Sequence, residues 1–399
     1  MVRGISLYGQ VLQLINRNDF ESLVRRNRGD RYAKGFRCWD QLAAMLFCHL
    51  GQAGSLSEIC CGMEGAAGKI RHLGIKKGPA KATLSYANRH RPWQIYEDAF
   101  YHLLGRIQHE FRETKPFRFS NKLFSLDGSV IDLCGSAFDW AHYQKSKGAV
   151  KLHLLLDHDG CLPVFATIKQ GVGDEMTVAA GLSRPRKSIV AIDRGYYNFS
   201  LFQKWTKNEV YFVTRSKKSI AYEVVEKRKP PRRSQVLKDR IIRVKGETAK
   251  RTKLGKLRLV RVVTDKGEME ILTNIMHLSA RTIAEVYRQR WQIESFFRLL
   301  KQNMRIKTFV GTTPNALKIQ IWTALISILV VKYLQRRAKL TWSISNLVAM
   351  LRWNLLTYRD LWEWIDNPGS NPAKPPGYTQ GYFPGFGLGQ QKRRASTTH

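Results

Sequence analysis

The distribution of apolar residues divides the chain near residue 120. Before that point, apolar residues follow helical spacing, most clearly from Gln41 to Leu50. Ser55-Leu-Ser-Glu58 has the form of a capping box, which predicts a helix that begins just after Ser55. Lys81 to Arg91 predicts a further helix, which Pro92 ends because proline cannot continue helical hydrogen bonding. The first part of the chain is therefore predicted to be all-helical.

From about residue 122, the pattern changes to short apolar or alternating runs that are typical of strands. Two of these runs are joined by His158-Asp-Gly160, which predicts a tight hairpin. The predicted strands are 123–133, 149–157, 161–169, 188–192 and 210–214; the predicted helices are 174–182, 199–206 and 280–304. Three antiparallel strands followed by alternating helices and strands is the order of the ribonuclease-H-like fold.

A strongly basic stretch separates the fifth predicted strand from the last helix. From Arg215 to Arg261 there are 18 Lys or Arg residues against four acids. β-Branched residues alternate with these charges, as in Leu257 to Val263, which favours a basic β-rich insertion over a disordered tail.

The fold class predicted from these patterns is α/β, with a ribonuclease-H-like catalytic core interrupted by a basic β-rich insertion and preceded by an all-helical N-terminal domain. The predicted parts are a helical DNA-binding domain (1–115), the catalytic core (120–215 and 275–340), the basic insertion (216–274), C-terminal helices (341–365) and a flexible basic tail (366–399).

Charge indicates the partner. The 399 residues include 67 Lys or Arg and 31 Asp or Glu, which gives a formal net charge of +36. Such self-repulsion is tolerated more easily when the partner is a polyanion, so nucleic acid is expected. The six cysteines form no Cys-x-x-Cys pair, and the N-terminus lacks the apolar core of a signal peptide. The most apolar run, Ile319 to Leu334, is expected to be too short to span a bilayer. We therefore expect a cytoplasmic protein.

Three acids stand out in this basic chain. Asp127 lies inside an apolar strand, where a charge is costly unless it binds something. Asp193 ends a buried strand, at the edge where α/β sheets place their ligands. Glu294 lies on the last helix, and no Asp or Glu follows it from Ser295 to Arg359. Taken singly, each acid is equally well interpreted as a salt-bridge partner.

The helix that carries Glu294 strengthens the catalytic interpretation. At about 100° per residue, Tyr287, Arg290, Glu294 and Lys301 project within an arc of about 60° on one helix. This polar quartet borders the apolar stripe, and it combines one carboxylate with two cations and a phenol. Such a set suits a divalent metal ligand flanked by phosphate contacts. Trp291, beside the quartet, is interpreted as a packing residue.

The spacing Tyr287-x2-Arg290-x3-Glu294-x6-Lys301 resembles, without a gap, the signature of the insertion-sequence-four family of bacterial DDE transposases. Leu126-Asp-Gly-Ser129 and Asp193-Arg-Gly-Tyr196 are also similar to that family. The resemblance implies that Asp127, Asp193 and Glu294 form a DDE triad that binds two Mg²⁺ ions, for which Mn²⁺ substitutes. It also implies that Arg290 and Lys301 hold phosphates, that Tyr287 contacts a phosphate or a displaced base, and that some relatives pass through a DNA hairpin.

Double-stranded DNA, comprising the terminal inverted repeats and the target, is the expected partner. Further contacts are expected from Lys81 and Arg89 on a helix-turn-helix-like basic helix, for which a simple helical bundle is an equal alternative. In the insertion, the expected contacts are Lys227, Arg228, Lys229, Arg232 and Arg233.

We expect monomers without DNA, a homodimer in the paired-end complex, and action at the bacterial nucleoid. Two other classes stay open. A ribonuclease-H-like nuclease or resolvase would cut without joining strands, and a transposase-derived repressor would only bind DNA.

Overall fold

The computed structural model describes residues 4–65, 70–111, 117, 119–134, 138, 142–144, 147–170, 175–306 and 308–370. The predicted tail, 366–399, therefore lies largely outside the described residues. Up to residue 111, the described chain is helical, as predicted. The helices are α1 (Leu7–Gln13), α2 (Arg17–Arg26), α3 (Cys38–Leu50), α4 (Leu56–Glu64), α5 (Lys81–His90) and α6 (Gln94–Ile107). The predicted cap is present, because the Ser55 hydroxyl accepts a hydrogen bond from the Glu58 amide at 3.1 Å.

The central part of the chain alternates strands with short helices in the predicted order. Its elements are β1 (Leu123–Cys134), β2 (His142–Gln144), β3 (Lys147–Asp157), β4 (Leu162–Gln170), α7 (Glu175–Gly181), β5 (Ile189–Ile192), α8 (Phe199–Lys207) and β6 (Tyr211–Arg215). Strands β3 and β4 form the predicted hairpin, in which Gly160 adopts a positive φ of 80°. Strand β1 pairs antiparallel with β3 and parallel with β5, and β5 pairs parallel with β6. The resulting order across the sheet is β4-β3-β1-β5-β6.

The basic stretch continues this sheet. It contains β7 (Tyr222–Arg228), β8 (Val236–Val244), α9 (Glu247–Arg251), β9 (Leu257–Thr264) and β10 (Gly267–Thr273). Strand β10 pairs antiparallel with β6, and β9, β8 and β7 follow it in that order. Within the described residues, the insertion and the central strands therefore form one ten-stranded sheet.

Helices cover both faces of the central strands because successive strand residues point to opposite sides. Phe124 and Val190 belong to the apolar cluster that contains α8. Their neighbours Leu123 and Ile189 pack with α10 (Ala280–Gln289) on the other face. Helix α10 is followed by α11 (Trp291–Asn303), α12 (Pro314–Arg337), α13 (Ile344–Asn354) and α14 (Leu361–Asp366). Residues of α10 and α11 therefore face the strands that carry the predicted aspartates.

Helix α12 lies at the centre of the largest apolar cluster, which also contains residues of α1–α6, β1, β3, α11, α13 and α14. The N-terminal helices thus share one core with the C-terminal ones. The expectation that this apolar run is too short to span a membrane is wrong. The run is part of a 24-residue helix, which by length and composition alone is long and apolar enough to cross one. However, 83% of its most apolar 18-residue stretch is buried inside the protein, as in the core helix of a folded domain.

Candidate active site

Asp127 and Asp193 lie side by side because their strands run parallel in register. Leu126 on β1 is paired with Ile192, the last residue of β5; Asp127 follows Leu126 within β1, and Asp193 directly follows the end of β5. Adjacent strands are about 4.8 Å apart. The Asp127 side chain is 20% exposed, and its Oδ1 accepts a hydrogen bond from the Gly128 amide at 2.8 Å. The sheet alone therefore brings together two acids that are 66 residues apart in sequence.

Glu294 reaches the same edge of the sheet from α11. This helix buries Ile293, Phe296, Phe297 and Leu300 in the apolar cluster that also holds Ile131 and Leu133 of β1. Glu294 lies at the border of that apolar face, and its side chain is 30% exposed. The packing of α11 thus directs the third acid towards β1.

Arg290 connects the acids of the strand and the helix. Its Nη2 donates to Glu294 Oε1 at 2.5 Å, and its Nη1 lies 3.6 Å from Asp127 Oδ2. The Arg290 side chain is 9% exposed, and its Nε is buried without a hydrogen-bond partner in the structure. One guanidinium therefore lies between two of the three predicted acids.

The other two members of the quartet also face β1 and β5. Tyr287 is buried, and the Arg290 guanidinium carbon lies 5.8 Å from its ring centre. Lys301 donates from Nζ to the Val130 carbonyl on β1 at 2.8 Å. All four quartet residues thus lie along one side of the helical segment.

The helical segment itself differs from the prediction. A single helix was expected from Ala280 to Met304, but α10 and α11 meet at Arg290. There the Arg290 amide bonds to the Tyr287 carbonyl at 3.1 Å, and the Ile293 amide bonds to the Arg290 carbonyl at 3.2 Å. These i to i−3 bonds form a tight 3₁₀-type turn. The sequence contains no proline or glycine here, so no local signal indicates the break.

The pKa of Asp127 reports how close the acids are. Burial raises the pKa of Asp127 to about 6, while the Gly128 amide and Arg290 oppose that rise. The carboxylates of Asp193 and Glu294 raise it further, because a neighbouring negative charge disfavours ionisation. Asp193 and Glu294 are therefore both close enough to act on the Asp127 carboxyl.

The three carboxylates are of the donor type that hard divalent cations prefer. Within the described part of the chain, however, no three His, Cys, Asp or Glu side chains are already arranged to hold a metal ion. The three acids therefore have the chemistry of metal ligands, but their carboxylates are not arranged around one common point in this structure.

A cleft of about 710 Å³ opens beside Asp193, the one of the three predicted acids that lines it. Asp193, Tyr287, Arg290 and Trp291 lie on one side of it, and residues 233–236 and 262–269 of the insertion line the other. Trp291, which was interpreted as a packing residue, is 51% exposed, and Lys266 Nζ lies 5.8 Å from its ring centre. Cations that the sequence did not single out also line the cleft, namely Arg215, Lys266 and Arg281. No motif distinguishes them from the other basic residues of the chain.

The remaining predicted DNA contacts differ in accessibility. Lys81 and Arg89 are exposed on α5, although Asn88 beside them is buried and accepts a hydrogen bond from Gln41 at 2.7 Å. In the insertion, Lys227, Lys229, Arg232 and Arg233 are exposed. Arg228 instead donates to the Met276 carbonyl at 2.8 Å and to Glu226 at 3.1 Å. Arg228 is therefore partly held by contacts within the protein, and its side chain is 31% exposed.

Comparison with known proteins identifies the family. Residues 118–330 match the family described as "Transposase DDE domain", and residues 3–76 match a domain of unknown function (DUF4372). A Geobacillus stearothermophilus protein named as a transposase for insertion sequence element IS5377 is 26% identical over 66% of this chain and 70% of its own length. The Sinorhizobium fredii protein y4zB, also named as a transposase, is 25% identical over 74% of this chain and 83% of its own length.

The chain also resembles the piggyBac transposase in a synaptic complex with hairpin DNA, with 11% identity, a TM-score of 0.45, and coverage of 95% of this chain and 88% of that one. A likeness at that level adds nothing to the assignment. The nuclease and repressor alternatives are not favoured by these relatives. Because the DDE match covers more than half of its 399 residues, the chain belongs to the DDE transposase family and is an enzyme of DNA transposition.

Proposed function

We propose that this transposase belongs to the insertion-sequence-four family, and that its catalytic core has the ribonuclease-H-like fold. The strand order β4-β3-β1-β5-β6, with three antiparallel strands followed by two parallel ones, supports the fold. The unbroken spacing of Tyr287, Arg290, Glu294 and Lys301 supports the family.

In this proposal, Asp127, Asp193 and Glu294 are the DDE acids. The observation that carries it is the placement of the three acids: Asp127 in β1 and Asp193 directly after β5 lie next to each other on paired strands, and Arg290 bridges Asp127 and Glu294 of α11. DDE transposases use divalent metal ions, and these acids would hold two Mg²⁺ ions or, as a substitute, Mn²⁺. When bound, the ions would activate the attacking hydroxyl and stabilise the leaving oxygen.

The cations of the chain position the DNA. Arg290 and Lys301 would contact phosphates beside the cleaved bond, with Tyr287 next to them. The cleft places the exposed indole of Trp291 opposite the insertion, where a base displaced from a DNA hairpin could stack. Lys227, Lys229, Arg232 and Arg233 would extend the phosphate track along the insertion, and Lys81 and Arg89 would contact terminal-repeat DNA from the N-terminal helices.

The chemistry is tested by cleavage and joining of labelled element ends in Mg²⁺. Asp127→Asn, Asp193→Asn and Glu294→Gln should each lower both rates at least about a thousandfold, equivalent to roughly 4 kcal/mol. DNA affinity should change little, because the cations hold the phosphates. Glu285→Gln is the matched control, since Glu285 lies on the same side of the cleft but pairs with Arg288 at 2.6 Å. Normal cutting by any of the three variants, or by the wild type in EDTA, would refute the assignment.

We further propose that the active form is a dimer that pairs two DNA ends, and that the protein acts on DNA at the bacterial nucleoid. Joining both ends of an element at one target needs two active sites, and a charge of +36 opposes association without DNA. The C-terminal helices offer exposed apolar side chains, of which Trp353 is 75% exposed and Trp362 is 40% exposed.

Mixing Glu294→Gln protein with the wild type tests the pairing. Double-end products should fall more steeply than the wild-type fraction, because mixed dimers carry one inactive site. A loss in simple proportion would show that pairing is not required.

A further inference from the structure

Arg290 occupies the position of a cation among the predicted metal ligands. Its guanidinium contacts Glu294 Oε1 at 2.5 Å and Asp127 Oδ2 at 3.6 Å, and its side chain is only 9% exposed. Charge-assisted bonds of this kind are the stronger class of hydrogen bond. A divalent ion bound to the same oxygens would lie next to that positive charge. Arg290 and the ion therefore compete for the same carboxylates.

The bonding of Arg290 in this position is incomplete. The Nε is buried without a hydrogen-bond partner, and the Asp127 contact at 3.6 Å is too long for a hydrogen bond. A buried unsatisfied donor on a charged group is costly, so a better acceptor would attract the guanidinium. A DNA phosphate is such an acceptor, because it matches the guanidinium fork with two oxygens.

The backbone gives Arg290 room to change partners. The residue lies in the 3₁₀-type turn between α10 and α11, a geometry that often marks a hinge. Arg290 also lines the 710 Å³ cleft beside Asp193, from which a phosphate would approach. The acids and the cleft are therefore both within the neighbourhood of the Arg290 side chain.

We propose that Arg290 is a positioning residue that serves as a resident counter-cation: it occupies the acids in free protein and transfers to a DNA phosphate when an element end binds. Metal ions then enter only after DNA is in place, so metal and DNA binding are coupled. This protects the cell from metal-loaded enzyme that has no correct substrate. The inference rests on the proposed function, because it assumes that the three acids hold the metal.

The first test measures Mn²⁺ affinity without DNA, from the electron paramagnetic resonance signal of free Mn²⁺. Arg290→Gln should bind Mn²⁺ at least fivefold more tightly than the wild type, because the competing charge is gone. Arg288→Gln is the matched control; Arg288 is 75% exposed, lines the same cleft and pairs with Glu285 instead. It should bind Mn²⁺ like the wild type. Equal affinity in Arg290→Gln and the wild type would overturn the proposal.

The second test adds a pre-cleaved DNA end that cannot be cut again. In the wild type, DNA should raise Mn²⁺ affinity fivefold or more, and Mn²⁺ should raise DNA affinity by the same factor, because coupling between two binding sites is reciprocal. In Arg290→Gln that factor should fall at least threefold, to the part that comes from direct contact between the ions and the DNA. A factor unchanged by the substitution would show that the coupling does not pass through Arg290.

Two further variants keep the outcome interpretable. Arg290→Lys retains a positive charge but not the guanidinium fork, so it should bind Mn²⁺ with an affinity between those of the wild type and Arg290→Gln; tighter binding than Arg290→Gln would contradict the proposal. Asp127→Asn combined with Arg290→Gln should lose the gained Mn²⁺ affinity. If that double variant instead keeps it, the ion binds elsewhere, and the proposed metal site fails, whatever the role of Arg290.

Discussion

Arg258 and Arg290 are both buried guanidiniums that contact carboxylates, but only one of them is fully bonded. Arg258 pairs with Asp239 through two hydrogen bonds of 2.8 and 2.7 Å, and its Nη1 donates to the Leu278 carbonyl at 2.6 Å. The side chains of this pair are 3% and 4% exposed. Arg290 makes one strong bond, one long contact and none from Nε.

The difference separates a structural ion pair from one that is available to a ligand. The Arg258 pair ties β8 to β9 and to the segment before α10, and its bonding capacity is used within the fold. Arg290 lies at the edge of a cleft, and its guanidinium still has a hydrogen-bond donor without an acceptor. The two guanidiniums are similarly buried, but they differ in the completeness of their hydrogen bonding and in the exposure of their acids, which is 4% for Asp239 against 20% for Asp127 and 30% for Glu294.

The largest expected effect comes from removing the charge of the acid that each arginine contacts. Asp239→Asn should lower the free energy of unfolding by about 3–5 kcal/mol, because it leaves the Arg258 charge buried without a counter-charge. Asp127→Asn should leave the melting temperature unchanged or raise it, because Glu294 still pairs with Arg290 and burial already disfavours the Asp127 charge. Chemical denaturation of both variants measures the two values. Equal losses would mean that the acids at both positions are structural.

The next largest effect is the pH dependence of stability that a buried, neutral histidine, His158, confers. Burial lowers the pKa of His158 to about 4 from an ordinary value of 6.5, and its ring bonds to the Ser125 hydroxyl at 2.8 Å. Below pH 6.5 the unfolded chain binds a proton that the folded chain does not bind until about pH 4. This contribution to stability is therefore fully present above pH 6.5 and is lost, by about 3 kcal/mol, as the pH falls to 4.

The measurement is the free energy of unfolding between pH 4 and 8. His158→Gln should flatten the acid side of the curve relative to the wild type, whereas His277→Gln, at an exposed position, should not. Parallel curves for the wild type and His158→Gln would show that the folded ring is protonated as readily as the unfolded one.

Conservative replacement of each arginine should give a smaller effect of the same kind. Arg258→Lys should cost about 1–3 kcal/mol of stability, since an ammonium cannot reproduce the double bond to Asp239 and leaves acceptors unpaired. Arg290→Lys should cost less than Arg258→Lys, because an ammonium can keep the single bond to Glu294 and no double bond is lost. Thermal melts of both variants measure the two losses of stability. A larger loss for Arg290→Lys would mean that Arg290, and not Arg258, belongs to the structural ion pair.

The smallest effect concerns exposed charges. The doubly reversed variants Lys227→Glu/Lys229→Glu and Arg232→Glu/Arg233→Glu should each lower the slope of log affinity against log salt by about 1–2, because each phosphate contact contributes about 0.9. Lys207→Glu is the control, on α8 at the opposite face of the sheet from α10. Arg228 is left intact because its bond to Met276 is structural. An unchanged slope would mean that this part of the insertion does not contact DNA.

Much of the core could be predicted because it depends on local apolar patterns. The runs that end at Asp193 and surround Asp127 are buried strands, and two parallel strands in register bring such residues together. The helical N-terminal part and the strands of the insertion follow for the same reason. In each case, the spacing of apolar residues and the residues at turns depend directly on the local backbone structure.

What the sequence did not indicate depends on tertiary contacts. The break at Arg290 has no glycine or proline, and the burial of Asn88 depends on Gln41 of another helix. Likewise, Arg228 is indistinguishable in sequence from its exposed neighbours, although its partner Met276 lies 48 residues away. The exposure of Trp291 depends on the cleft between two distant segments.

Strand β7 ends the sheet among the described residues, and its side chains are mostly exposed, including Val224 and Val225. A sheet edge with exposed valines is a template on which a second chain can add a strand and begin to aggregate. Lys227 and Lys229 at its end disfavour such an addition, because charged side chains on an edge strand would lose water when a second strand covers them. The cations that we assign to DNA would therefore also keep newly made enzyme from aggregating, and replacing them with apolar residues should lower its solubility before any effect on catalysis is seen.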